Sequence, residues 1–309
     1  MDGLLLIDKP VGPTSHDIVA RVRRVFGERS VGHTGTLDPL ASGLLALVLG
    51  RATRLARFLS ASDKTYEAEI RLGVATDTYD AQGTAVSMAD SGALPSRERI
   101  ERALDAFRGT FLQQPPAYSA KKIDGQRSYA IARRARALPA LPADAALPRP
   151  VSVTAHAIDV LACDGDRVTL RVHCSAGFYI RSLAHDLGRQ LGIGAHLTAL
   201  RRTRSGALAL ADAIGIDELE QQPEASARRV LPVSAMLTEL PAVVLTADGV
   251  TRAKHGQDVG PESHIRAEPQ IPNPESSPYV RLLDPAGELV AVAEPAGAGG
   301  LLHPSVVLR

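Results

Sequence analysis

The sequence predicts an α+β fold, because strand-like alternation and helix-like periodicity are mixed along the chain without a repeating β-α-β order. The segments TYEAEIRLGV and RVTLRVHC alternate between apolar and polar residues, as half-buried strands do. SRERIERALDAFRG and FYIRSLAHDLGRQLG carry apolar residues at helical spacing, and Ser96 and Gly109 cap and stop the first of these helices. The 309 residues are enough for one large domain and a smaller one.

The last part of the chain has a different pattern. From residue 241, the segments PAVVLTADGV, YVRLLD and LVAVAE alternate and are separated by glycine and proline, which predicts a small all-β module. The four prolines in residues 137–150 cannot continue a helix and predict a loop inside the larger domain. We therefore expect a large domain over 1–240, with an insertion at about 114–150, and a separate module over 241–309.

Composition excludes several classes of protein. The two cysteines are too few for a zinc site or a disulfide framework. The apolar run at the N-terminus is too short for a signal peptide, and no run is long enough to span a membrane, so we expect a cytoplasmic protein. The net charge is only +1, but residues 1–60 hold eight lysines and arginines against five acidic residues, whereas residues 240–309 hold five against eight.

The segment GHTGTLDPLASGLL raises two interpretations of Asp38. Asp followed by Pro39 and an apolar run predicts a helix that begins with Asp38 as N-cap and ends at Gly50. The neighbouring glycines and His33 instead favour a loop that lets a ligand approach the carboxylate. The segment lacks the Gly-Lys-Ser/Thr of a phosphate loop and a second metal ligand.

A further segment with two carboxylates, TDTYDAQG (76–83), does not have calcium-loop spacing and predicts a turn.

Six blocks of sequence together resemble the bacterial TruB family of tRNA pseudouridine-55 synthases. They occur in the family's order and cover most of residues 1–206: GLLLIDKPVGPTSHDIV, VGHTGTLDPLASGLL, SDKTYEAEIRLGVATDTYDAQG, PPAYSAKKIDGQRSYAIAR, SAGFYIRSLAHDLG and ALRRTRSG. The resemblance implies a pseudouridine-synthase fold, with a mixed, mainly antiparallel sheet flanked by helices. It also implies a small C-terminal β-barrel, a PUA-like module that binds RNA.

The same resemblance implies that the protein isomerises uridine 55 in the T loop of tRNA, without cofactor or metal. Asp38 matches the catalytic aspartate of the family, and Arg181 matches the arginine that pairs with it. A nearby cation favours the ionised form of a carboxylate in a dry cleft. Tyr66 matches the catalytic tyrosine of the family, which stacks on the target base and helps in proton transfer. Without the resemblance, we would interpret Arg181 as an exposed helix residue and Tyr66 as a core aromatic.

Three further residues are implied in substrate binding. Tyr179 matches a tyrosine that contacts the substrate, and Leu200 matches an apolar wall of the pocket. His33 matches the histidine that occupies the space beside the extruded base. From the residues alone, Tyr179 and Leu200 would be core residues and His33 a polar loop residue.

The basic run KKIDGQRSYAIARRAR (121–136) holds six lysines and arginines and one aspartate, and the family has an RNA-gripping insertion here. The residues predicted to contact the RNA backbone are Lys121, Lys122, Arg127, Arg133, Arg134, Arg201 and Arg202. Such contacts fix position and do not read sequence. A solvated helix face is the alternative interpretation of the run.

The resemblance thus implies a monomer that binds the T arm of tRNA, with no membrane and no protein partner. Two other functions stay open: a guide-RNA-dependent pseudouridine synthase subunit, and an RNA-binding or RNA-folding module without chemistry.

Charge reversal at Arg133 and Arg134 tests the basic run. Replacing both with glutamate should weaken tRNA binding and reduce the slope of log affinity against log salt by about one for each phosphate that the variant no longer neutralises. Equilibrium binding of tRNA, measured over a range of salt concentrations, gives both quantities. Unchanged affinity and slope would show that the run is ordinary protein surface.

Overall fold

The computed structural model of the chain describes residues 1–88, 94–119, 122–123, 126–127, 148–267, 278–297 and 299–308. Of the predicted RNA contacts, Lys121, Arg133 and Arg134 lie outside the described residues, and the side chains of Lys122 and Arg127 do as well.

The large domain contains fourteen described strands and six described α-helices. The strands are β1 (Gly3–Lys9), β2 (Val31–His33), β3 (Ala41–Leu49), β4 (Lys64–Leu72), β5 (Val74–Thr76), β6 (Ala85–Met88), β7 (Gly109–Gln113), β8 (Lys122–Ile123), β9 (Gln126–Arg127), β10 (Val151–Asp164), β11 (Arg167–Cys174), β12 (Ala195–Ser205), β13 (Leu208–Ala209) and β14 (Ile214–Gly215). The helices are α1 (Ser15–Phe26), α2 (Ala56–Ser60), α3 (Arg97–Leu104), α4 (Ile180–Leu191), α5 (Ile216–Gln221) and α6 (Pro223–Ala227).

Ten of these strands form one mixed sheet. Its order is β14-β1-β3-β12-β4-β11-β10-β7, with β2 paired to β3 and β13 paired to β12. Only the β1–β14 and β3–β12 pairs are parallel. The predicted mixed, mainly antiparallel sheet flanked by helices is therefore confirmed. So are the helices predicted over 96–109 and 178–192, which the structure gives as α3, capped by the Ser96 hydroxyl, and α4.

Two core clusters meet in the middle of the sheet. Helices α3 and α4 pack on β4, β10, β11 and β12, whereas α1 and α5 pack on β1 and β3. Tyr66 on β4 and Leu200 on β12 are only partly buried, and each packs against both clusters. The two residues therefore lie at the boundary between the two helical layers.

The helix predicted to begin at Asp38 is wrong, since residues Ala41–Leu49 form strand β3. Its side chains alternate between two buried environments. Leu45, Leu47 and Leu49 belong to the core under α1, while Leu44, Ala46 and Val48 belong to a third core. Because β3 is covered on both faces, its sequence is a continuous apolar run, which does not distinguish a buried strand from a helix.

The C-terminal module is a five-stranded sheet of β15 (Ala242–Leu245), β16 (His264–Ala267), β17 (Val280–Leu283), β18 (Leu289–Pro295) and β19 (Leu302–Val307). The all-β prediction is wrong in one respect, because helix α7 (Ala247–Lys254) follows β15. The Thr246 hydroxyl accepts a hydrogen bond from the Gly249 amide and caps this helix. Leu289, Val292 and Leu308 of the module share a core with Leu4 and Leu44 of the main sheet.

None of the helices in the described part of the chain is both long and apolar enough to cross a membrane.

Replacing Gly43 on β3 with alanine should destabilise the fold. Gly43 has φ +98°, and a Cβ there would lie 2.3 Å from the Arg202 carbonyl oxygen on the paired strand β12. Backbone strain and overpacking together should lower the free energy of unfolding by roughly 3 kcal/mol. Denaturant unfolding of the purified protein measures this change.

Gly32→Ala on the neighbouring strand β2 is the matched control. A Cβ at Gly32 would make only an ordinary contact, 3.6 Å from Val48. We expect its free energy of unfolding to change by less than about 0.5 kcal/mol. Equal stability of the two variants would contradict the close approach of β3 and β12.

Candidate active site

The loop between β2 and β3 holds Asp38 on a fixed backbone. The Ser15 hydroxyl accepts a hydrogen bond from the Leu37 amide at 2.8 Å and donates one to the Leu37 carbonyl at 3.0 Å. On the other side of Asp38, the Pro39 carbonyl accepts a hydrogen bond from the Gly12 amide at 2.8 Å. The Asp38 side chain is 38% exposed. The loop therefore presents the carboxylate to solvent from a rigid support.

Arg181, near the start of α4, pairs with Asp38. Its Nε lies 2.9 Å from Oδ2 of Asp38, as an ion pair and not as an aligned hydrogen bond, and its side chain is only 5% exposed. Nη1 donates to the Thr78 carbonyl at 3.2 Å, and Nη2 donates to the Tyr118 carbonyl at 2.8 Å. Nη1 also lies 3.6 Å from Oδ2 of Asp80. Each nitrogen of the guanidinium thus faces an oxygen, as a buried cation requires.

Asp80 is a functional candidate that the sequence analysis missed. Its carboxylate is buried, and Oδ1 accepts hydrogen bonds from the Thr78 hydroxyl at 2.6 Å and the Gln82 amide at 3.0 Å. The turn around it contains Tyr79 at φ +65°, whose ring stacks on His185 of α4 at a centroid distance of 3.9 Å. The segment is the predicted turn, but a turn signal alone does not show that its carboxylate faces an arginine a hundred residues away.

Two tyrosines border the Asp38–Arg181 pair. Burial raises the pKa of Tyr66 on β4 and of Tyr179 before α4, and the negative charge of Asp38 adds to the increase in both. Both phenols are therefore neutral near pH 7. Leu200 pairs with Ala41 across the parallel β3–β12 ladder, and it packs against the same two core clusters as Tyr66. The structure thus brings Arg181, Tyr66 and Tyr179 together around one exposed carboxylate, and it places Leu200 on a strand next to that of Tyr66.

His33 is the last residue of β2 and pairs with Leu47 of β3. It is half-buried and lies on the strand that leads into the Asp38 loop. The sequence prediction that it lies beside an extruded base stays a prediction.

The prediction that Arg202 contacts RNA phosphates is wrong, because the structure places the Arg202 side chain in the interior. Arg202 is 3% exposed, and its guanidinium donates to the Leu44 carbonyl at 2.7 Å and to the Gly35 carbonyl at 3.1 Å. Alternation along β12 turns its side chain into the protein and that of Arg201 outward. Arg201 is 42% exposed and pairs with Asp8 at 2.7 Å, so it keeps a partly accessible charge.

Lys9 is a second buried cation near Asp38. Its side chain is fully buried, and Nζ donates to the Pro10 and Pro13 carbonyls at 2.8 Å each. Burial lowers the pKa of Lys9 to about 8, although the charge of Asp38 opposes the decrease. These hydrogen bonds fix the turn after β1, against which the Asp38 loop packs.

With this geometry established, comparison with known proteins identifies the family. The N-terminal domain of the TruB family pseudouridylate synthases matches residues 23–180, and the tRNA pseudouridylate synthase B C-terminal domain matches residues 181–238. The chain belongs to the TruB family. A tRNA pseudouridine synthase B of Solibacter usitatus is 42% identical to it over 314 residues, which cover 100% of both chains. The relative of that name in Ralstonia nicotianae is 43% identical and covers 98% of this chain and 92% of its own.

Solved structures show the same fold as this TruB family chain. A Cbf5-Nop10-Gar1 complex contains a chain of 28% identity and TM-score 0.74, which covers 99% of this chain and 85% of its own. An H/ACA RNP bound to a substrate RNA containing 2′-deoxyuridine contains a chain of 26% identity and TM-score 0.73, with the same coverage. The predicted pseudouridine-synthase fold is therefore confirmed.

The lowered pKa of Lys9 predicts a pH-dependent stability. The folded chain loses the Lys9 proton at about pH 8, whereas the unfolded chain holds it up to the ordinary value of 10.5. Between these values the unfolded state binds more protons, so raising the pH stabilises the folded state. The free energy of unfolding of the wild type relative to Lys9→Met should therefore rise by up to roughly 3 kcal/mol from pH 8 to pH 10.5.

The comparison with Lys9→Met isolates this residue, because Lys64, whose pKa burial also lowers to about 8, is present in both proteins. Urea unfolding at several pH values measures the difference. A difference that stays constant over this range would contradict the lowered pKa.

Proposed function

We propose that this chain isomerises a uridine in the T loop of tRNA, at position 55, to pseudouridine, with Asp38 as its catalytic group. The observation that carries the proposal is the exposed Asp38 carboxylate, 2.9 Å from the buried Arg181 guanidinium. Relatives 42% identical over the whole chain, named tRNA pseudouridine synthase B, support tRNA as the substrate. We further propose that the protein acts on the T arm as a monomer, without a protein partner.

The reaction breaks the N1–C1′ bond, turns the uracil, and joins C5 to C1′. The proton lost from C5 balances the one gained at N1, so nothing is oxidised, reduced or added, and the chemistry requires no cofactor. The ionised carboxylate of Asp38 is suited to attack C6 or C1′ or to take the 2′ proton. Arg181 keeps that charge in place, because it is itself fixed by Asp80 and by two carbonyls.

The target uracil must leave its stack before Asp38 reaches it, which costs a few kcal/mol. Tyr66 presents a neutral ring to the extruded base, and stacking of a base on an aromatic ring recovers about 1–3 kcal/mol. Leu200 supplies an apolar wall from the strand next to that of Tyr66, and Tyr179 lies close enough to Asp38 for the charge of the carboxylate to act on its phenol. Arg201 and the basic run at 121–136 supply positive charge for the RNA backbone.

The structural similarity to a Cbf5-Nop10-Gar1 complex favours a second candidate, a guide-RNA-dependent subunit. Incubation of the purified chain with a tRNA transcript alone separates the two. Pseudouridine in the T loop, mapped by sequencing, supports the stand-alone enzyme. Conversion only after addition of a guide RNA supports the second candidate, and tRNA binding without conversion supports an RNA-binding module.

Asp38→Asn should abolish the reaction while keeping the fold. The amide removes the negative charge but not the volume, so the single-turnover rate should fall by on the order of 10⁴ or more, by analogy with the removal of other catalytic nucleophiles. The dissociation constant for tRNA should change little, because base-independent contacts supply most of the affinity. Pseudouridine formation and equilibrium binding are measured on the same preparation.

Asp166→Asn is the matched control, since Asp166 is an exposed carboxylate in the turn between β10 and β11 and pairs with Arg71. Its rate should equal that of the wild type. Retained activity in Asp38→Asn would refute the catalytic role and leave Asp38 as a loop residue.

A further inference from the structure

Gln113, the last residue of β7, holds the residue that precedes α4 at two points. Its side chain is almost completely buried. Oε1 accepts a hydrogen bond from the Tyr179 amide at 2.8 Å, and Nε2 donates to the Tyr179 carbonyl at 3.0 Å. The side-chain amide thus pairs with the main chain of Tyr179 as a neighbouring strand would.

This pairing holds the residue at which α4 begins. Tyr179 is the N-cap residue of α4, and its own side chain makes no capping hydrogen bond. Arg181 is the second residue of the helix, so the main-chain position of Tyr179 sets the direction in which Arg181 leaves it. Fixing the Tyr179 peptide therefore fixes both the Tyr179 ring and the guanidinium that faces Asp38.

The chain that follows Gln113 continues across the start of α4. The Ser182 hydroxyl donates to the Gln114 carbonyl at 2.6 Å, and Arg181 Nη2 donates to the Tyr118 carbonyl at 2.8 Å. The Gln114 side chain donates to the Pro148 carbonyl at 2.6 Å, which joins the two ends of the insertion. The base of the insertion is thus bonded directly to α4, and Gln113, just before it, is bonded to the residue that precedes α4.

We propose that Gln113 is a positioning residue for the uridine isomerisation: its amide orients Tyr179 and Arg181, and through Arg181 the Asp38 carboxylate. The inference rests on the proposed function and deepens it. Gln113 is too deeply buried to touch RNA, so its loss should change the rate of the chemical step and not the affinity for tRNA. Misplacement of a reacting group by about 1 Å costs on the order of 10²-fold in rate.

The first variant is Gln113→Leu, which keeps the approximate volume and removes both hydrogen bonds. Its single-turnover rate of pseudouridine formation in a tRNA transcript should fall on the order of 10²-fold, with the dissociation constant for tRNA within about threefold of the wild type. The matched control is Gln190→Leu, the same substitution on the exposed last turn of α4. Its rate and affinity should equal those of the wild type.

The second variant, Gln113→Glu, tests the pH dependence of the rate, which a purely structural role of Gln113 would leave unchanged. A protonated glutamic acid donates to the Tyr179 carbonyl and accepts from the Tyr179 amide, as glutamine does, whereas the carboxylate cannot donate. The rate of this variant relative to the wild type should therefore rise as the pH falls from 9.5 to 5.5, a range that includes the raised pKa of a buried glutamic acid. Circular dichroism at each pH establishes that the same folded protein is compared.

A Gln113→Leu rate within threefold of the wild type would overturn the inference, as would weaker tRNA binding at an unchanged rate. If the leucine variant does not fold, the inference is overturned by Gln113→Glu alone, provided that the ratio of its rate to the wild-type rate is the same at every pH. Asp38→Asn in the same assay separates this failure from that of the proposed function. An inactive wild type or an active Asp38→Asn refutes the function, whereas a normal Gln113 variant beside an inactive Asp38→Asn refutes only the positioning role.

Discussion

The buried guanidinium of Arg181 is the constraint on which the site depends. A cation taken out of water is stable only where oxygens surround it, and here two carboxylates and two carbonyls do so. The two carboxylates differ in exposure. Asp80 is buried and its remaining oxygen is bonded within its own turn, whereas Asp38 is 38% exposed. The two carboxylates around this cation therefore differ in accessibility: Asp80 neutralises Arg181 from within the protein, and Asp38 does so from a position open to solvent.

The groups around Arg181 come from segments far apart in sequence, and the sheet brings them together. Strand β3 follows the loop that holds Asp38, β4 carries Tyr66, and the end of β7 leads to Tyr118, while α4 carries Arg181 back over the sheet. The parallel and antiparallel ladders of β12 align Leu200 with both β3 and β4. The geometry of the site is thus a consequence of strand register, and a shift of one residue would turn Tyr66 or Leu200 to the other face.

Local patterns predicted the elements that have one buried face, such as β4, β11, α3 and α4. The apolar pattern did not predict strand β3, because both faces of this strand are buried. The preceding Asp38-Pro39 is also typical of the start of a helix. The local pattern also failed at Arg202. The sequence does not distinguish the three arginines of RRTR, and only the alternation of strand β12 places Arg202 in the interior. Asp80 was missed because its importance comes from Arg181, a partner that only the tertiary fold supplies. The resemblance supplied the pairing of Asp38 with Arg181, which spacing alone does not give.

The distribution of charge in the large domain also explains why the net charge of the chain does not indicate a nucleic-acid substrate. In the part of the large domain that the structure describes, Lys9, Lys64, Arg181 and Arg202 are buried cations, and Asp80 is the only buried anion. Burial lowers the pKa of both lysines to about 8, and the charge of Arg202 adds to the decrease, yet both stay protonated near pH 7. Most of these cations bond to carbonyl oxygens, which carry no net charge. Buried positive charge therefore exceeds buried negative charge in the described part of the large domain, although the net charge of the whole chain is only +1. Such an excess of positive charge attracts a polyanion.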